Sequence, residues 1–82
     1  MKKLNILVVE DGRSPREMLR EFLIKEGHTV AEAENGDMAV KSVHKGHFDM
    51  LLLDYKMPGI DGMQVLKEVK KINPEIDVVI IT

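Results

Sequence analysis

Three dense apolar runs constrain the fold of this chain more than any other feature of its sequence. They lie at Leu4–Val9, Met50–Leu53 and Val78–Ile81, and polar or turn residues bound each of them. A strand with one face in water alternates apolar and polar residues, whereas a strand covered on both faces is apolar throughout. The three runs therefore predict buried strands of a parallel sheet.

Helical periodicity fills the segments between these runs. It predicts a first helix that starts near Ser14, a second from about Asn35 to Gly46, and a third with an apolar stripe over Val65–Ile72. The weaker apolar run at Thr29–Ala33 mixes small, polar and β-branched residues, which is typical of an edge strand. Strands and helices thus alternate, and this order predicts an α/β domain with a parallel sheet.

The first helix has strong signals at both ends. Ser14 is predicted as its N-cap, with Pro15 at the first helical position and Glu17 placed to complete a capping box. Gly27 stands where a left-handed residue would end the helix. One face of the helix is apolar and is expected to meet the core; it comprises Met18, Leu19, Phe22 and Leu23.

Composition narrows the classes of function. The chain has 82 residues, with 12 Lys and Arg against 14 Asp and Glu, and no Cys. The near-neutral charge disfavours a nucleic-acid or membrane partner held by bulk charge, and we expect neither. The absence of Cys excludes disulfides, thiolate metal sites and Cys nucleophiles. With only a short apolar run after Met1–Lys3, no signal peptide or membrane span is expected, and the cytoplasm is the expected location.

Acidic residues follow two of the predicted strands. Glu10 and Asp11 come directly after the first strand, and Asp54 comes directly after the third. Ligands of open parallel sheets bind outside the carboxyl ends of the strands, so we expect the three acids to meet there. Clustered carboxylates repel one another unless a hard cation neutralises them, and Mg²⁺ prefers oxygen ligands. The sequence therefore predicts a magnesium site.

The motifs around these acids resemble the receiver domain of bacterial two-component response regulators. The resemblance covers all 82 residues and rests on five separated motifs, which are Val8–Asp11, Leu51–Asp54, Met57-Pro58, Asp61-Gly62 and Ile80–Thr82. It implies a flavodoxin-like, doubly wound α/β fold. The present chain would contribute four strands in the order 2-1-3-4, together with three helices.

The resemblance also implies a role for each matching position. Asp54 would accept a phosphoryl group, and Asp11 and Asp54 would ligate Mg²⁺. Glu10 would act mainly through a bound water, and the backbone carbonyl of Lys56 would supply a further oxygen. Thr82 would be the switch hydroxyl that moves towards the phosphoryl group. These roles describe a signalling module rather than a turnover enzyme.

The family suggests partners as well as residues. A sensor histidine kinase or a phosphotransfer protein would donate the phosphoryl group. The segment Ile72–Ile76 before the fourth strand resembles receivers of transcriptional activators of the nitrogen-regulatory type, so a transcriptional output is expected. Arg16, Met18, Leu19 and Arg20 of the first helix form the expected docking surface for the kinase.

The resemblance departs from the family pattern at one point. The family's domain continues with a helix, a fifth strand ending in a phosphoryl-binding Lys, and a final helix, and neither Lys56 nor Lys67 matches that Lys. Residues 1–82 would then be the N-terminal two-thirds of a receiver domain. The fourth strand would form an exposed apolar edge. We therefore expect self-association, by edge pairing as in a homodimer or by exchange of elements, or else partial unfolding.

Three alternatives remain open. The chain could be a folded but inert receiver fragment that self-associates. It could instead be a phosphatase with an aspartyl nucleophile, although Lys56 stands where that chemistry wants an acidic residue two positions after Asp54. A nucleotide or flavin binder would need a Gly-rich loop after the first strand, and Asp11–Pro15 contains one Gly.

Overall fold

Strands and helices alternate along the whole chain, as predicted. The computed structural model describes residues 2–54 and 62–81. The strands are β1 (Asn5–Val9), β2 (Thr29–Ala33), β3 (Met50–Asp54) and β4 (Asp77–Ile81). The helices are α1 (Arg13–Lys25), α2 (Gly36–Lys45) and α3 (Gly62–Ile72). Each strand lies within one residue of its apolar run at either end.

The four strands form one parallel sheet in the order β2-β1-β3-β4. This confirms the flavodoxin-like order expected for the first four strands. Val9 at the end of β1 is in register with Ala33 of β2 and Leu53 of β3, and Asp54 is in register with Ile81 of β4. The carboxyl ends of all four strands therefore lie along the same edge of the sheet.

The hydrophobic core lies between one face of the sheet and the helices α2 and α3. Successive side chains of a strand point to opposite faces, so alternate residues of β1 and β3 supply one layer of the core. The core is built mainly from Leu7, Val9, Leu51, Leu53, Ala39, Val43, Val65, Val69 and Ile76. This packing fixes the carboxyl ends of β1 and β3 relative to each other.

Helix α1 begins one residue earlier than Ser14, so the prediction of Ser14 as N-cap is wrong. Gly12 is the N-cap, without a side-chain hydrogen bond, and its carbonyl accepts a hydrogen bond from the N–H of Arg16 at 3.1 Å. Pro15 is tolerated there because N–H groups of the first helical turn have no partner within the helix. Glu17 forms an ion pair with Arg13 at 3.0 Å instead of closing a capping box.

The apolar face of α1 is largely exposed, which contradicts the prediction that it meets the core. Met18 is 71% exposed and Phe22 is 61% exposed, and no residue of α1 is buried. The helix contacts β1 and β2, but among the described residues nothing covers Met18 and Phe22 from the other side. The end of the helix is as predicted, since Gly27 has a positive φ of 98°.

The edge strands of the sheet are β2 and β4. On β4, Val79 is 44% exposed and Ile80 is 39% exposed. Apart from Asp77 at its start, β4 carries no charged residue that would discourage pairing with another strand. Within residues 2–54 and 62–81, no helix has the length and apolar character needed to cross a membrane.

Candidate functional site

The structure brings together the three acidic residues singled out by the sequence. Glu10 and Asp11 follow the last residue of β1, and Asp54 is the last residue of the neighbouring strand β3. Each of the three offers a carboxylate oxygen, and these oxygens lie within 4.8 Å of one another. Glu10 and Asp54 are half-buried, whereas Asp11 is exposed. We call this group the acidic cluster.

The N–H, the carboxylate and the carbonyl of Glu10 each form a hydrogen bond. Its N–H donates to the carbonyl of Ala33 at 3.1 Å, which extends the ladder between β1 and β2 by one step. Its carboxylate Oε2 accepts a hydrogen bond from the N–H of Gly12 at 2.8 Å. Its carbonyl oxygen accepts one from Nη1 of Arg16 at 3.0 Å. The backbone of the cluster is therefore fixed from both β2 and α1.

The electrostatics of the cluster favour a bound cation. The pKa of Glu10 is raised from its usual value, first by burial and then by the hydrogen bond to Asp11 and the charge of Asp54, while the Gly12 hydrogen bond opposes the shift. A carboxyl group whose pKa is raised by burial and by neighbouring carboxylates carries its negative charge at a cost near neutral pH. A divalent cation would remove that cost.

Gly12 leaves little room for a side chain beside the cluster. A Cβ at this position would lie 3.2 Å from the ring of Pro15 and 3.7 Å from Oε2 of Glu10. The backbone φ of −76° at Gly12 is open to any residue, so the constraint is space rather than conformation. A glycine here lets the chain turn tightly from the acidic cluster into α1.

Two predicted site residues, Lys56 and Thr82, lie outside the described residues. The same holds for the turn motifs Met57-Pro58 and Asp61 before Gly62. Thr82 follows Ile81 in the sequence, and Ile81 is in register with Asp54.

An open groove of about 680 Å³ adjoins the acidic cluster. Glu10 and Asp54 line it together with residues of α1 and the end of β4. The wall residues include Met18, Leu19, Phe22 and Ile81. The cluster thus lies beside an apolar surface and is reached from solvent.

The residues present fit a magnesium ion. The donor set consists of carboxylate oxygens, the ligand type that Mg²⁺ prefers, and it contains no His or Cys that would select a softer metal. Magnesium usually binds through one or two carboxylates and keeps several waters, which suits a cluster that is open on one side.

The contact of Arg16 with the acidic cluster is a feature that the sequence reasoning missed. The sequence places it on the polar side of α1 and on an expected docking surface. In the structure its side chain is only 15% exposed and links Glu32 of β2 to the carbonyl of Glu10. The available signal was an Arg one turn into the helix that follows the acidic strand end, but its partner on β2 is not adjacent in sequence.

The response regulator receiver domain family matches residues 6–82. Sporulation initiation phosphotransferase F of Bacillus subtilis is 42% identical over 82 residues, which is 100% of this chain and 66% of that protein. Transcriptional regulatory protein ZraR of Klebsiella oxytoca is 41% identical over 81 residues, 99% of this chain and 18% of that protein.

Solved structures agree with these sequence matches. Response regulator protein TrrA of Thermotoga maritima in complex with Mg²⁺ and BeF has a TM-score of 0.89 at 39% identity, covering 96% of this chain and 68% of that chain. The complex of histidine kinase ThkA with TrrA gives a TM-score of 0.89 at 40% identity, covering 99% of this chain and 69% of that chain.

The chain spans 66% of the length of the first of these curated relatives and 18% of the second. The match nevertheless includes every described strand and helix apart from the first residue of β1. The strand order, the acidic strand ends and the sequence matches lead to one assignment: this chain belongs to the response regulator receiver domain family of two-component signalling.

Proposed function

We propose that the chain accepts a phosphoryl group on Asp54 from a histidine kinase or phosphotransfer protein, in a reaction that depends on Mg²⁺. The observation that carries this proposal is the acidic cluster, in which oxygens of Glu10, Asp11 and Asp54 lie within 4.8 Å of one another. A structural ion pair would explain one acid at a strand end, but it would not explain why three carboxylates approach one another so closely. The cluster is costly unless it binds something positive.

Asp11 and Asp54 are the proposed carboxylate ligands of Mg²⁺, with Glu10 acting through a water and the carbonyl of Lys56 as a further ligand. Glu10 is suited to the indirect role because its Oε2 already accepts the hydrogen bond from Gly12. Bound Mg²⁺ would offset the negative charge of the phosphoryl oxygens. Lys56 enters on the family resemblance, since it lies outside the described residues.

Asp54 is the proposed nucleophile. One of its carboxylate oxygens would attack phosphorus, forming an O–P bond as the N–P bond of the donor phosphohistidine breaks and the imidazole leaves with a proton. Its position at the end of β3 leaves the carboxylate half-buried at the rim of the open groove, where a donor can reach it. The protein's task in such transfers is mainly positioning and electrostatic stabilisation.

Thr82 is proposed as the switch hydroxyl that hydrogen-bonds the new phosphoryl group. Support comes from the register of the sheet, because Ile81, which precedes it, is in register with Asp54. A hydroxyl-bearing residue that follows β4 in the sequence therefore follows the strand that pairs with β3, which ends at Asp54. The chain would act as a signalling module, and a phosphorylated surface would be its output to a transcriptional partner.

A kinase is the proposed upstream partner, and a second copy of the chain is a proposed further partner. The relative TrrA has been solved in complex with histidine kinase ThkA. The exposed Val79 and Ile80 on the edge strand β4 favour pairing with a second β4. Light scattering tests the homodimer, and a stable monomer at high concentration would contradict it.

Phosphoryl transfer is tested by incubating the chain with acetyl phosphate and Mg²⁺ and measuring its intact mass. We expect one phosphoryl adduct, lost in Asp54→Asn and lost in the presence of a chelator. Asp37→Asn is the matched control, because Asp37 is an aspartate in the first turn of α2, outside the acidic cluster. An adduct that survives in Asp54→Asn, or none on folded wild-type chain, would contradict the proposal.

A phosphatase with an aspartyl nucleophile is distinguished in the same experiment. Such an enzyme would release phosphate over many turnovers without accumulating the adduct, whereas a receiver domain accumulates one phosphoryl group for each chain. Measuring free phosphate alongside the adduct therefore separates the two functions. Repeated turnover that depends on Asp54 would favour the phosphatase.

A further inference from the structure

We propose that Arg16 is a positioning residue for the acidic cluster: it holds the peptide between Glu10 and Asp11 in the orientation that brings Asp11 to Asp54. The inference rests on the proposed function, because it concerns how the same site is assembled. The side chain of Arg16 bonds the Glu10 carbonyl and Glu32, so it acts on the acidic cluster through the Glu10 peptide.

The guanidinium of Arg16 makes two bonds from one half-buried position. Nη1 donates to the carbonyl oxygen of Glu10 at 3.0 Å, and Nε donates to Oε1 of Glu32 at 3.1 Å. The side chain of Arg16 is 15% exposed, and that of Glu32 is 28% exposed. Charge-assisted hydrogen bonds that are shielded from water are among the stronger ones in proteins. The pair therefore ties α1, β2 and the end of β1 into one unit.

Holding a carbonyl also orients the residue that follows it. The carbonyl of Glu10 and the N–H of Asp11 belong to one planar peptide group, so fixing the first fixes the second. The N–H of Glu10 is already bound to Ala33 and its carboxylate to Gly12. Arg16 thus fixes the one remaining polar group of Glu10, and with it the direction in which the chain leaves towards Asp11.

Helix α1 closes this arrangement from the other side. The N–H of Arg16 donates to the carbonyl of Gly12 at 3.1 Å, so the backbone and the side chain of one residue bind both ends of the short turn from Glu10 to Gly12. Glu32 keeps the guanidinium in this position from β2. Partners that orient metal ligands in this way typically change metal affinity by about 10–100-fold when they are removed.

Arg20 provides a matched control within the same helix. It lies one turn beyond Arg16 and contacts the same carboxylate, with Nη1 at 3.6 Å from Oε2 of Glu32. It has no contact with Glu10 among the bonds of the described residues. Replacing Arg20 therefore removes a positive charge and a Glu32 contact while leaving the Glu10 carbonyl bound.

The test measures Mg²⁺ affinity by thermal-shift titration for the wild type, Arg16→Met, Arg16→Lys and Arg20→Met. We expect Arg16→Met to bind Mg²⁺ at least about 10-fold more weakly. Arg16→Lys replaces the guanidinium, which donates through two nitrogens, by a single ammonium group. We therefore expect it to lose Mg²⁺ affinity, but to lose less than Arg16→Met does. Arg20→Met is expected to stay within about twofold of the wild type, as for an exposed ion pair.

A spectroscopic readout separates positioning from simple loss of stability. In two-dimensional ¹H–¹⁵N spectra at a temperature where all variants are folded, the amide signal of Asp11 should move in both Arg16 variants and stay in Arg20→Met. A variant that only loosened the fold would shift signals throughout the chain.

The outcomes separate this inference from the proposed function. A folded wild-type chain without Mg²⁺ binding would overturn both. A wild-type chain that binds Mg²⁺, with Arg16 variants of equal affinity and an unmoved Asp11 amide, would overturn only the role of Arg16. If Arg16→Met does not fold, Arg16→Lys decides the question alone, and wild-type affinity in that variant would overturn the inference.

Discussion

Removing one charge from the acidic cluster should stabilise the metal-free protein. Asp54→Asn keeps the shape of the side chain but eliminates its negative charge. A carboxylate oxygen of Asp54 lies within 4.8 Å of a carboxylate oxygen of Glu10. At that separation two unit charges repel by about 0.9 kcal/mol in a water-like dielectric and by about 3.5 kcal/mol at an effective dielectric of 20. The cluster is open to solvent on one side, so we expect a gain of about 1–2 kcal/mol.

The gain is measured by thermal and urea unfolding in the presence of a chelator. For a domain of this size, about 1 kcal/mol corresponds to a rise in Tm of about 4–8 °C, which is easily resolved. Glu75→Gln is the control, since it removes an exposed acid from the turn before β4, outside the acidic cluster. Its effect should stay within about 0.5 kcal/mol of zero.

Adding Mg²⁺ should make the wild type more stable than Asp54→Asn, which is the reverse of the order expected under chelation. The proposed Mg²⁺ site exists only in the folded chain, and at 100 times its Kd a ligand of this kind stabilises a protein by about 2.7 kcal/mol. The wild type should gain this stability and Asp54→Asn should gain much less. If Asp54→Asn is no more stable than the wild type under chelation, or gains equally from Mg²⁺, the electrostatic reasoning about the cluster is refuted.

Three further predictions address other parts of the molecule. Ile76→Ala empties a position that is 1% exposed and should cost about 2–5 kcal/mol in urea unfolding; a cost under about 1 kcal/mol would contradict the described core. The pKa of Glu10 is raised in the folded chain, so its contribution to metal-free stability is present at low pH and is lost as pH rises through that pKa. The free energy of unfolding of Glu10→Gln should therefore increase relative to that of the wild type as pH rises above 4.5. A difference in unfolding free energy that does not change with pH would contradict this. Val79→Lys places a charge on the exposed edge of β4 and should abolish self-association in light scattering, whereas Glu75→Gln should leave it unchanged.

The sheet could be predicted from the sequence because its strands carry their own signal. Runs such as Met50–Leu53 are apolar at every position, and only a strand covered on both faces requires this. Placing Glu10 and Asp54 side by side then needs only the rule that parallel strands end at one edge. The acidic cluster was therefore accessible to reasoning from local patterns plus topology.

The surroundings of α1 could not be predicted in the same way. An apolar helical face indicates that something covers it but does not indicate what covers it. The pattern therefore predicts a core position for Met18, which the core does not reach, and Phe22 on the same face is exposed as well. The contact of Arg16 with Glu32 joins a helix to a strand that begins thirteen residues later, and no local pattern encodes it. Contacts between side chains on different elements depend on how a helix packs against a strand, and the periodicity of the sequence does not determine this.

The central place of β1 in the sheet has a consequence for synthesis of the chain on the ribosome. β1 pairs with β2 on one side and with β3 on the other, and β3 follows β2 in the sequence. At about 5–20 residues per second, Met50 is made on the order of seconds after Val30. During that interval the nascent chain presents an unpaired apolar edge of β1, which can mispair with other nascent chains.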